Sequence, residues 1–202
     1  MLKAPGDRGS GLGEFVVATG PTPAYDWRTM KALSFSNLML AALLPLVLSA
    51  CLFKDPVFTS GFVKTDDSIT GVWVAEDEAD DMEKADLAAC FKIDDSHYML
   101  HYPARAKDGI YYAMQPLKVR DRDVLQVQAL GTLKDRPVIP GDEVYTLIWI
   151  EKKEGKKLTV RPLNGKMEKK GPAEVKRLLE DPATPWNDLF AEAKVFKRIT
   201  KE

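Results

Sequence analysis

Residues 97–102 read HYMLHY, and residues 110–119 read IYYAMQPLKV. In the first segment Tyr98, Leu100 and Tyr102 alternate with histidine or methionine, and this period of two predicts a β-strand. A Lys-Asp-Gly turn signal at residues 107–109 lies just before the second segment. The two segments therefore predict consecutive strands of one antiparallel sheet.

Short apolar segments separated by turn signals continue on both sides of this pair. Turns are predicted at residues 95–96, 120–123 and 152–155, and a proline-bearing loop at residues 136–141. The predicted strands cover residues 69–76, 87–94, 97–102, 110–119, 124–130, 144–151 and 157–162. Seven short strands with short connections are typical of an antiparallel meander that closes, or nearly closes, into a barrel.

The C-terminal part predicts helices and one more strand. Residues 144–151 carry apolar side chains on both faces, so both faces are expected to be covered. Pro172 at a first helical position opens one helix, and Thr184 as N-cap with Pro185 at the first position opens another. Residues 195–200 are a candidate last strand that pairs with the first. The predicted fold is mainly β, a meander forming a barrel or half-barrel with a C-terminal helix and a short last strand.

The first strand carries Gly71-Val72-Trp73. A Gly-X-Trp on the first strand, a run of antiparallel strands, an outer helix and a short strand after it resemble the lipocalin arrangement. In that family the tryptophan plugs the closed end of the barrel and an arginine near the chain end stacks on it. The resemblance therefore implies barrel-closing roles for Gly71, Trp73 and Arg198. The chain has one predicted strand fewer before the helix than a full lipocalin, and an unrelated β-sandwich with Trp73 in its core remains the alternative.

Six side chains fall on alternating positions of neighbouring predicted strands, where a barrel is expected to aim them inward. They are Tyr98, Tyr102, Tyr112, Met114, Tyr145 and Trp149. Apolar walls with few polar groups bind apolar or amphiphilic ligands, so these residues are the candidate ligand-binding set. The other interpretation is that they fill the barrel, because about eight strands enclose just enough room for side chains.

An apolar segment, LMLAALLPLVLSAC at residues 38–51, follows Lys31. Its apolar core is shorter than the roughly 20 residues that a membrane-spanning helix needs, and Pro45 interrupts it. A basic start, a short apolar core and small residues before a cleavage point are the parts of a signal peptide. Residues 48–51, Leu-Ser-Ala-Cys, resemble the lipobox of bacterial lipoproteins, which implies a thioether-linked diacylglycerol and an N-acyl chain on Cys51.

The same resemblance divides the chain. Residues 1–29 are interpreted as a disordered or non-native extension before Met30, or as an unusually long start of the signal peptide. Residues 30–50 are the predicted signal peptide, residues 51–67 the acylated cysteine and a tether, and residues 68–202 the β domain. The apolar side chains of residues 57–63 make docking onto that domain an alternative to a free tether. Leu52, rather than aspartate, after the cysteine indicates the outer membrane. An ordinary signal peptide, with Cys51 incidental, and a buried helix are the alternatives.

Charge and motifs bear on the chemistry. The 29 basic and 30 acidic residues nearly cancel and are scattered, so nucleic acid is not an expected partner. His97 and His101 are four residues apart, which on a strand separates them by about 13 Å, too far to grip one metal ion. The acidic residues 76–83 lack the spacing of a calcium loop, and Cys90 lies in an apolar setting typical of a small buried residue. No catalytic motif, metal site or cofactor is predicted.

Two functions are consistent with these patterns. One is a non-catalytic envelope lipoprotein that binds a small hydrophobic or amphiphilic molecule in a β-barrel. The other is an envelope interaction or assembly lipoprotein with a filled core and no small ligand. In both, the acyl chains on Cys51 attach the protein to the membrane.

The acylation prediction is tested by Cys51→Ser, because serine has no thiol to form the thioether. We expect this variant to incorporate no labelled fatty acid in growing bacteria, whereas Cys90→Ser, the matched control, incorporates as much as wild type. Incorporation that persists in Cys51→Ser would show that Cys51 is not the acylated residue.

Overall fold

The computed structural model describes residues 53–132 and 144–199 of the chain. The predictions for the extension, the signal peptide, Cys51 and Leu52, and for the loop at residues 136–141, lie outside these residues. Eight antiparallel strands each pair with their neighbours in sequence. They are β1 Gly71–Ala75, β2 Leu87–Lys92, β3 Tyr98–Tyr102, β4 Ile110–Val119, β5 Arg122–Gly131, β6 Tyr145–Glu154, β7 Lys157–Pro162 and β8 Lys194–Ile199. The prediction of a mainly β antiparallel meander is confirmed.

Strand β8 closes the sheet into a barrel. It pairs with β7, where Leu158 is opposite Phe196, and also with β1, where Trp73 is opposite Arg198. Of the two predicted forms, barrel or half-barrel, the closed barrel is the one observed. The strand after the helices supplies the eighth member that closure requires.

The connections alternate between the two ends of the barrel. At the turn end, β1 begins and short turns follow β2, β4 and β6. At the loop end, β1 ends, and two longer connections follow β1 and β3, residues 76–86 and residues 103–109. The turn between β4 and β5 consists of Arg120 and Asp121, whose φ angles are 48° and 64°. Positive φ at both central residues is the geometry of the tightest hairpins, whose twist matches that of the strands they join.

Two large apolar clusters form among the described residues, besides a small one of Val74, Ala85 and Leu87, because side chains alternate between the two faces of each strand. The first fills the barrel interior and comprises Ile69, Trp73, Ala75, Cys90, Tyr98, Tyr102, Tyr112, Met114, Leu125, Val127, Ala129, Ile148, Ile150 and Val160. The second lies on the outer face of β4, β5 and β6, where helices and the N-terminal segment cover Leu117, Val119, Val124, Leu147 and Trp149. The prediction that both faces of β6 are covered is confirmed.

The outer cover contains two helices, α1 Gly171–Glu180 and α2 Trp186–Leu189. Val175 and Leu179, four residues apart in α1, are completely buried in the outer cluster. The predicted start of the second helix was wrong by one residue, since Pro185 rather than Thr184 precedes the first helical residue. The hydroxyl of Thr184 instead donates a hydrogen bond to the carboxylate of Asp181 at 2.8 Å.

Residues 53–66, which we call the strap, lie against the barrel instead of extending from it as a tether. Phe53 pairs with Tyr145 at the loop end, its N–H donating to the carbonyl oxygen of Tyr145 at 2.7 Å. Farther along, Gln126 is only 3% exposed, and its side-chain amide accepts from the N–H of Phe58 at 2.8 Å and donates to its carbonyl oxygen at 3.0 Å. Docking, the alternative to a free tether, is therefore what the structure shows for these residues.

The paired hydrogen bonds of Gln126 predict a large effect of removing its amide. In Gln126→Ala the buried N–H and carbonyl of Phe58 lose their partners, so we expect the free energy of unfolding to fall by about 2–4 kcal/mol. Urea denaturation measures this loss. Gln128→Ala is the control, because Gln128 lies on the same face of β5 but is only half-buried. Equal losses in the two variants would show that the hydrogen bonds to the strap contribute little.

Candidate ligand-binding cavity

The barrel interior is not completely filled. A cavity of about 100 Å³ remains between side chains contributed by all eight strands and by one residue that precedes β1. Its lining consists of Ile69, Trp73, Ala88, Cys90, Leu100, Tyr102, Met114, Leu125, Ile148, Leu158, Val160 and Phe196. Almost all of these side chains are apolar, and so is the wall of the cavity. Two of them on β2, Ala88 and Cys90, are small, and larger side chains at these positions would occupy the space.

Trp73, on β1 near the turn end, contributes to the wall of this cavity. Its indole N–H donates to the carbonyl oxygen of Ile69 at 2.9 Å, so the ring is held by a hydrogen bond as well as by packing. The guanidinium carbon of Arg198 lies 5.2 Å from the centre of the Trp73 ring, within range of a cation–π contact. Arg198 also donates to the carbonyl oxygens of Asp67 and Thr70, and thus ties β8 to the segment before β1.

Gly71 leaves room for this arginine. Its φ is +122°, and a Cβ atom at this position would lie 2.9 Å from Nε of Arg198. Side chains are therefore excluded here for two reasons, the backbone conformation and the approach of the guanidinium group. Gly71, Trp73 and Arg198, which the lipocalin resemblance grouped together, form one contiguous cluster.

The predicted tyrosines in the interior do not share one role. The hydroxyl of Tyr98 donates to the carbonyl oxygen of Asp66 at 2.8 Å and accepts from its N–H at 2.6 Å, so Tyr98 ties the end of the strap to the turn end of the barrel. Burial raises the pKa of Tyr98 to about 12. Tyr112 is buried in the interior cluster, and burial raises its pKa to about 12 as well. Of the six predicted ligand-binding residues, Tyr102 and Met114 line the cavity.

Tyr102 lines the cavity, but its hydroxyl has almost no accessible surface. The side chain is 9% exposed, and its hydroxyl is buried with no hydrogen-bond partner among the described residues. Burial raises the pKa of this phenol well above its ordinary value, and the negative charges of Asp86 and Glu78 raise it further. The group therefore keeps its proton at any physiological pH and has a hydrogen bond to donate.

Tyr145 and Trp149 lie outside the barrel, so the prediction that they point inward is wrong. Trp149 belongs to the outer cluster, where its ring meets that of Trp186 edge-on with centroids 5.2 Å apart. Tyr145 packs against the same cluster. The reason is that β6 is apolar on both faces, so alternation separates the two faces without showing which is the interior. Ile148 and Ile150 are the inward pair.

Cys90 lines the cavity but is a poor nucleophile. Burial raises the pKa of its thiol to about 12, although the positive charge of Arg198 partly opposes this shift. A thiol reacts as the thiolate, and at neutral pH almost none forms at such a value. The side chain acts as a small apolar wall.

Neither of the two histidines, His97 and His101, lines the cavity, and the two have different neighbours. Nδ1 of His97 lies 2.8 Å from Oγ of Ser96 and 3.1 Å from the carboxylate of Asp94. A catalytic triad needs the serine and the acid on opposite ring nitrogens, so this cluster is not one. His101 stacks on Tyr111 with ring centroids 4.2 Å apart. Within residues 53–132 and 144–199, no group of three or more His, Cys, Asp or Glu side chains is arranged to hold a metal ion.

Most of the lining set was not identified from the sequence. The only sequence signal at Leu100, Leu125 and Leu158 is the alternation that every strand shares. Whether a cavity remains depends instead on the summed volume of the inward side chains of all eight strands. The signal that would have found them is the cross-strand register, in which Leu100 is opposite both Cys90 and Tyr112.

Comparisons with known proteins give no relatives: no family model, no curated protein and no solved structure matches the chain. In the described part of the chain, no helix has both the length and the hydropathy needed to cross a bilayer.

The contact between Gly71 and Arg198 is open to test. In Gly71→Ala the new methyl group must displace the guanidinium group, so we expect a loss of about 1–3 kcal/mol in the free energy of unfolding beyond that of a matched control. Gly61→Ala is that control, since Gly61 also has a positive φ, +85°, but a methyl group there would meet no other part of the chain within 4 Å. Denaturant unfolding of both variants measures the difference, and equal losses would show that Arg198 does not restrict this position.

Proposed function

We propose that this protein is a lipid-anchored, non-catalytic lipoprotein of the bacterial envelope that binds a small hydrophobic or amphiphilic molecule inside its β-barrel. The observation that carries the proposal is the apolar cavity inside the closed barrel, to which all eight strands contribute side chains. Binding sites for small molecules are typically apolar pockets with a few placed polar groups. The cluster of Gly71, Trp73 and Arg198 supports the lipocalin-like part of the proposal.

The volume of the cavity limits the ligand. An engineered protein cavity of roughly 150 Å³ holds benzene. At about 100 Å³, this one suits a compact molecule of a few heavy atoms, or the end of a longer one. A complete acyl chain would extend beyond this volume. The ligand class is therefore narrower than the general hydrophobic molecule that the sequence predicts.

The position of the strap has a consequence for the proposed anchor. Phe53 is fixed to Tyr145 at the loop end by backbone hydrogen bonds, and its ring is buried in the outer cluster. Two residues span at most about 7 Å of extended chain, so an acylated Cys51 has almost no slack. The loop end of the barrel would then face the bilayer, and the turn end, near which Trp73 lies, would point away from it. Leu52 favours the outer membrane as the place where this occurs.

The non-catalytic part of the proposal is supported by the chemistry of the candidate nucleophiles. The thiol of Cys90 is held protonated by burial, and Ser96 contacts the same nitrogen of His97 that Asp94 contacts. Neither residue has the activated geometry that nucleophilic catalysis needs.

The alternative, an interaction or assembly lipoprotein, is favoured by one surface feature. Phe91 and Ile93, at the end of β2, are each 54% exposed, and Phe91 is paired with Met99 on the outer face of β3. Large apolar side chains that are adjacent and exposed are a feature of surfaces that bind other proteins. Phe91 and Ile93 are not part of the cavity lining, so the two functions can be separated by experiment.

Native mass spectrometry with a cavity-filling variant tests the binding function. Residues 52–202, which lack the proposed lipid anchor and are purified from a bacterial host without detergent, are expected to carry a stoichiometric extra mass that solvent extraction removes. In Ala88→Leu three added carbon atoms enter the cavity, so we expect the affinity for the bound molecule to fall about tenfold, which corresponds to about 1.4 kcal/mol of binding free energy, and the extra mass to be reduced accordingly.

Ala113→Leu is the matched control, because Ala113 lies on the outer face of β4, and circular dichroism verifies that both variants are folded. An extra mass that persists in Ala88→Leu would place the ligand outside the cavity. A clean mass for wild type from every host examined would favour the alternative function with a filled core.

A further inference from the structure

Four exposed lysines lie together at the loop end of the barrel. One of them is in the strap, and the other three are in a 3₁₀ helix, Gly165–Lys170, that follows β7. We call this group the basic patch, and it consists of Lys54, Lys166, Lys169 and Lys170.

The two parts of the basic patch are neighbours because both are bound to the first residues of β6. Leu163, just before the 3₁₀ helix, donates its N–H to the carbonyl oxygen of Leu147 at 2.9 Å. Phe53, just before Lys54, donates to the carbonyl oxygen of Tyr145 at 2.7 Å. Tyr145 and Leu147 are two residues apart on one strand, so the strap and the 3₁₀ helix start close to each other.

The lysines of the basic patch have no ion pair in the described part of the chain. Most of the other lysines there lie within 4.0 Å of a carboxylate oxygen, namely Lys64, Lys84, Lys92, Lys118, Lys152, Lys153, Lys157, Lys176 and Lys197. The charges of the basic patch are therefore available to a partner outside the chain.

Nearby acidic residues do not cancel this charge. The two segments that form the basic patch, residues 53–55 and 164–170, contain four lysines but only two acidic residues, Asp55 and Glu168. On the adjoining helix α1, the carboxylate of Glu174 is paired with Arg177 at 2.8 Å. The basic patch thus keeps a net positive charge.

The opposite side of the loop end is acidic. The connection between β1 and β2, residues 76–86, contains seven acidic residues and one lysine. Asp77, Asp80 and Glu83 in this connection are exposed. In the closed ring of eight strands β2 is four strands from β6, so the acidic connection and the basic patch lie across the barrel from each other. The loop end is therefore electrically polarised.

The proposed lipid anchor joins the chain beside the basic patch. Cys51 is three residues from Lys54, a separation of at most about 10 Å, which is close to the distance over which charges interact at physiological salt. Anionic headgroups attract clustered lysines near a membrane surface, and they repel carboxylates.

We infer that the basic patch docks on anionic lipid headgroups beside the acylated Cys51, so that the barrel is tilted with the β6 side of its loop end against the bilayer. The acidic connection is held away from the lipid. This inference rests on the lipid anchor of the proposed function and names the surface that the anchor holds the protein against.

Paramagnetic broadening of methionine methyl signals measures this tilt. The acylated protein, purified from bacterial membranes, is placed in nanodiscs of phosphatidylcholine alone or mixed with phosphatidylglycerol, with Gd³⁺ chelated on a few headgroups. Met167 lies in the 3₁₀ helix and Met82 in the acidic connection, so their ¹³C-labelled methyl groups report on opposite sides of the loop end. We expect the broadening of Met167 relative to Met82 to be larger in the anionic discs, and to fall to the neutral-disc value at high salt.

Lys169→Gln/Lys170→Gln removes two charges from the basic patch. Each lysine near an anionic surface favours docking about fivefold, so we expect the relative broadening of Met167 in anionic discs to fall most of the way to its neutral-disc value. Lys64→Gln/Lys107→Gln is the matched control, because it removes the same charge from exposed lysines outside the basic patch. We expect this control to behave like wild type.

The possible outcomes separate this inference from the anchor on which it rests. Relative broadening that is the same in neutral and anionic discs, or that falls equally in both double variants, would overturn the inference while leaving the anchor in place. Protein that does not remain with the discs after detergent removal would show that the proposed anchor itself is absent. Anionic-lipid-dependent broadening of Met167 that only Lys169→Gln/Lys170→Gln reduces supports both.

Discussion

The pairing of β8 with both β7 and β1 is the constraint on which the rest of the structure depends. It removes both sheet edges, fixes Trp73 opposite Arg198, and makes the inward faces of all eight strands one enclosed surface. Eight strands enclose an interior just wide enough for side chains. Whether that interior is full is then decided by a few side-chain volumes, and Ala88 and Cys90 leave a residual space. The cavity is thus a consequence of closure combined with two small residues on β2.

A second apolar core gives the barrel its outer cover. The strap and the two helices bury the outer faces of β4, β5 and β6, with Gln126 binding the backbone of Phe58 in the middle of this contact. Arg120, in the turn between β4 and β5, donates to the carbonyl oxygens of Asp181 and Thr184 and so holds the connection between α1 and α2. The strap reaches the loop end at Phe53, so one short segment both covers the barrel and would determine where the proposed lipid anchor lies relative to the barrel.

The regular elements could be predicted from the sequence because each carries a local signal. All seven strands before the helices, the last strand, and the two helices occur where alternation, turn residues and prolines predict them. The direction of a doubly apolar strand carries no such signal, which is why Tyr145 and Trp149 were assigned to the wrong face of β6. Contacts between distant segments also have no local sequence signal, so the hydrogen bonds of Tyr98 with Asp66 and of Gln126 with Phe58 could not be predicted. The cavity is the least predictable feature, since it is a small difference between the volume of the barrel and the volume of the side chains that fill it.

The central claim is that the closed barrel retains an apolar space that a small molecule can occupy. Xenon tests this claim most directly, because it binds apolar cavities without requiring any polar group. Diffraction from crystals of the protein pressurised with xenon is predicted to show an anomalous peak inside the barrel, between Cys90, Tyr102 and Met114. Absence of a peak there, with xenon bound elsewhere in the same crystals, would show that the interior is filled and would contradict the account.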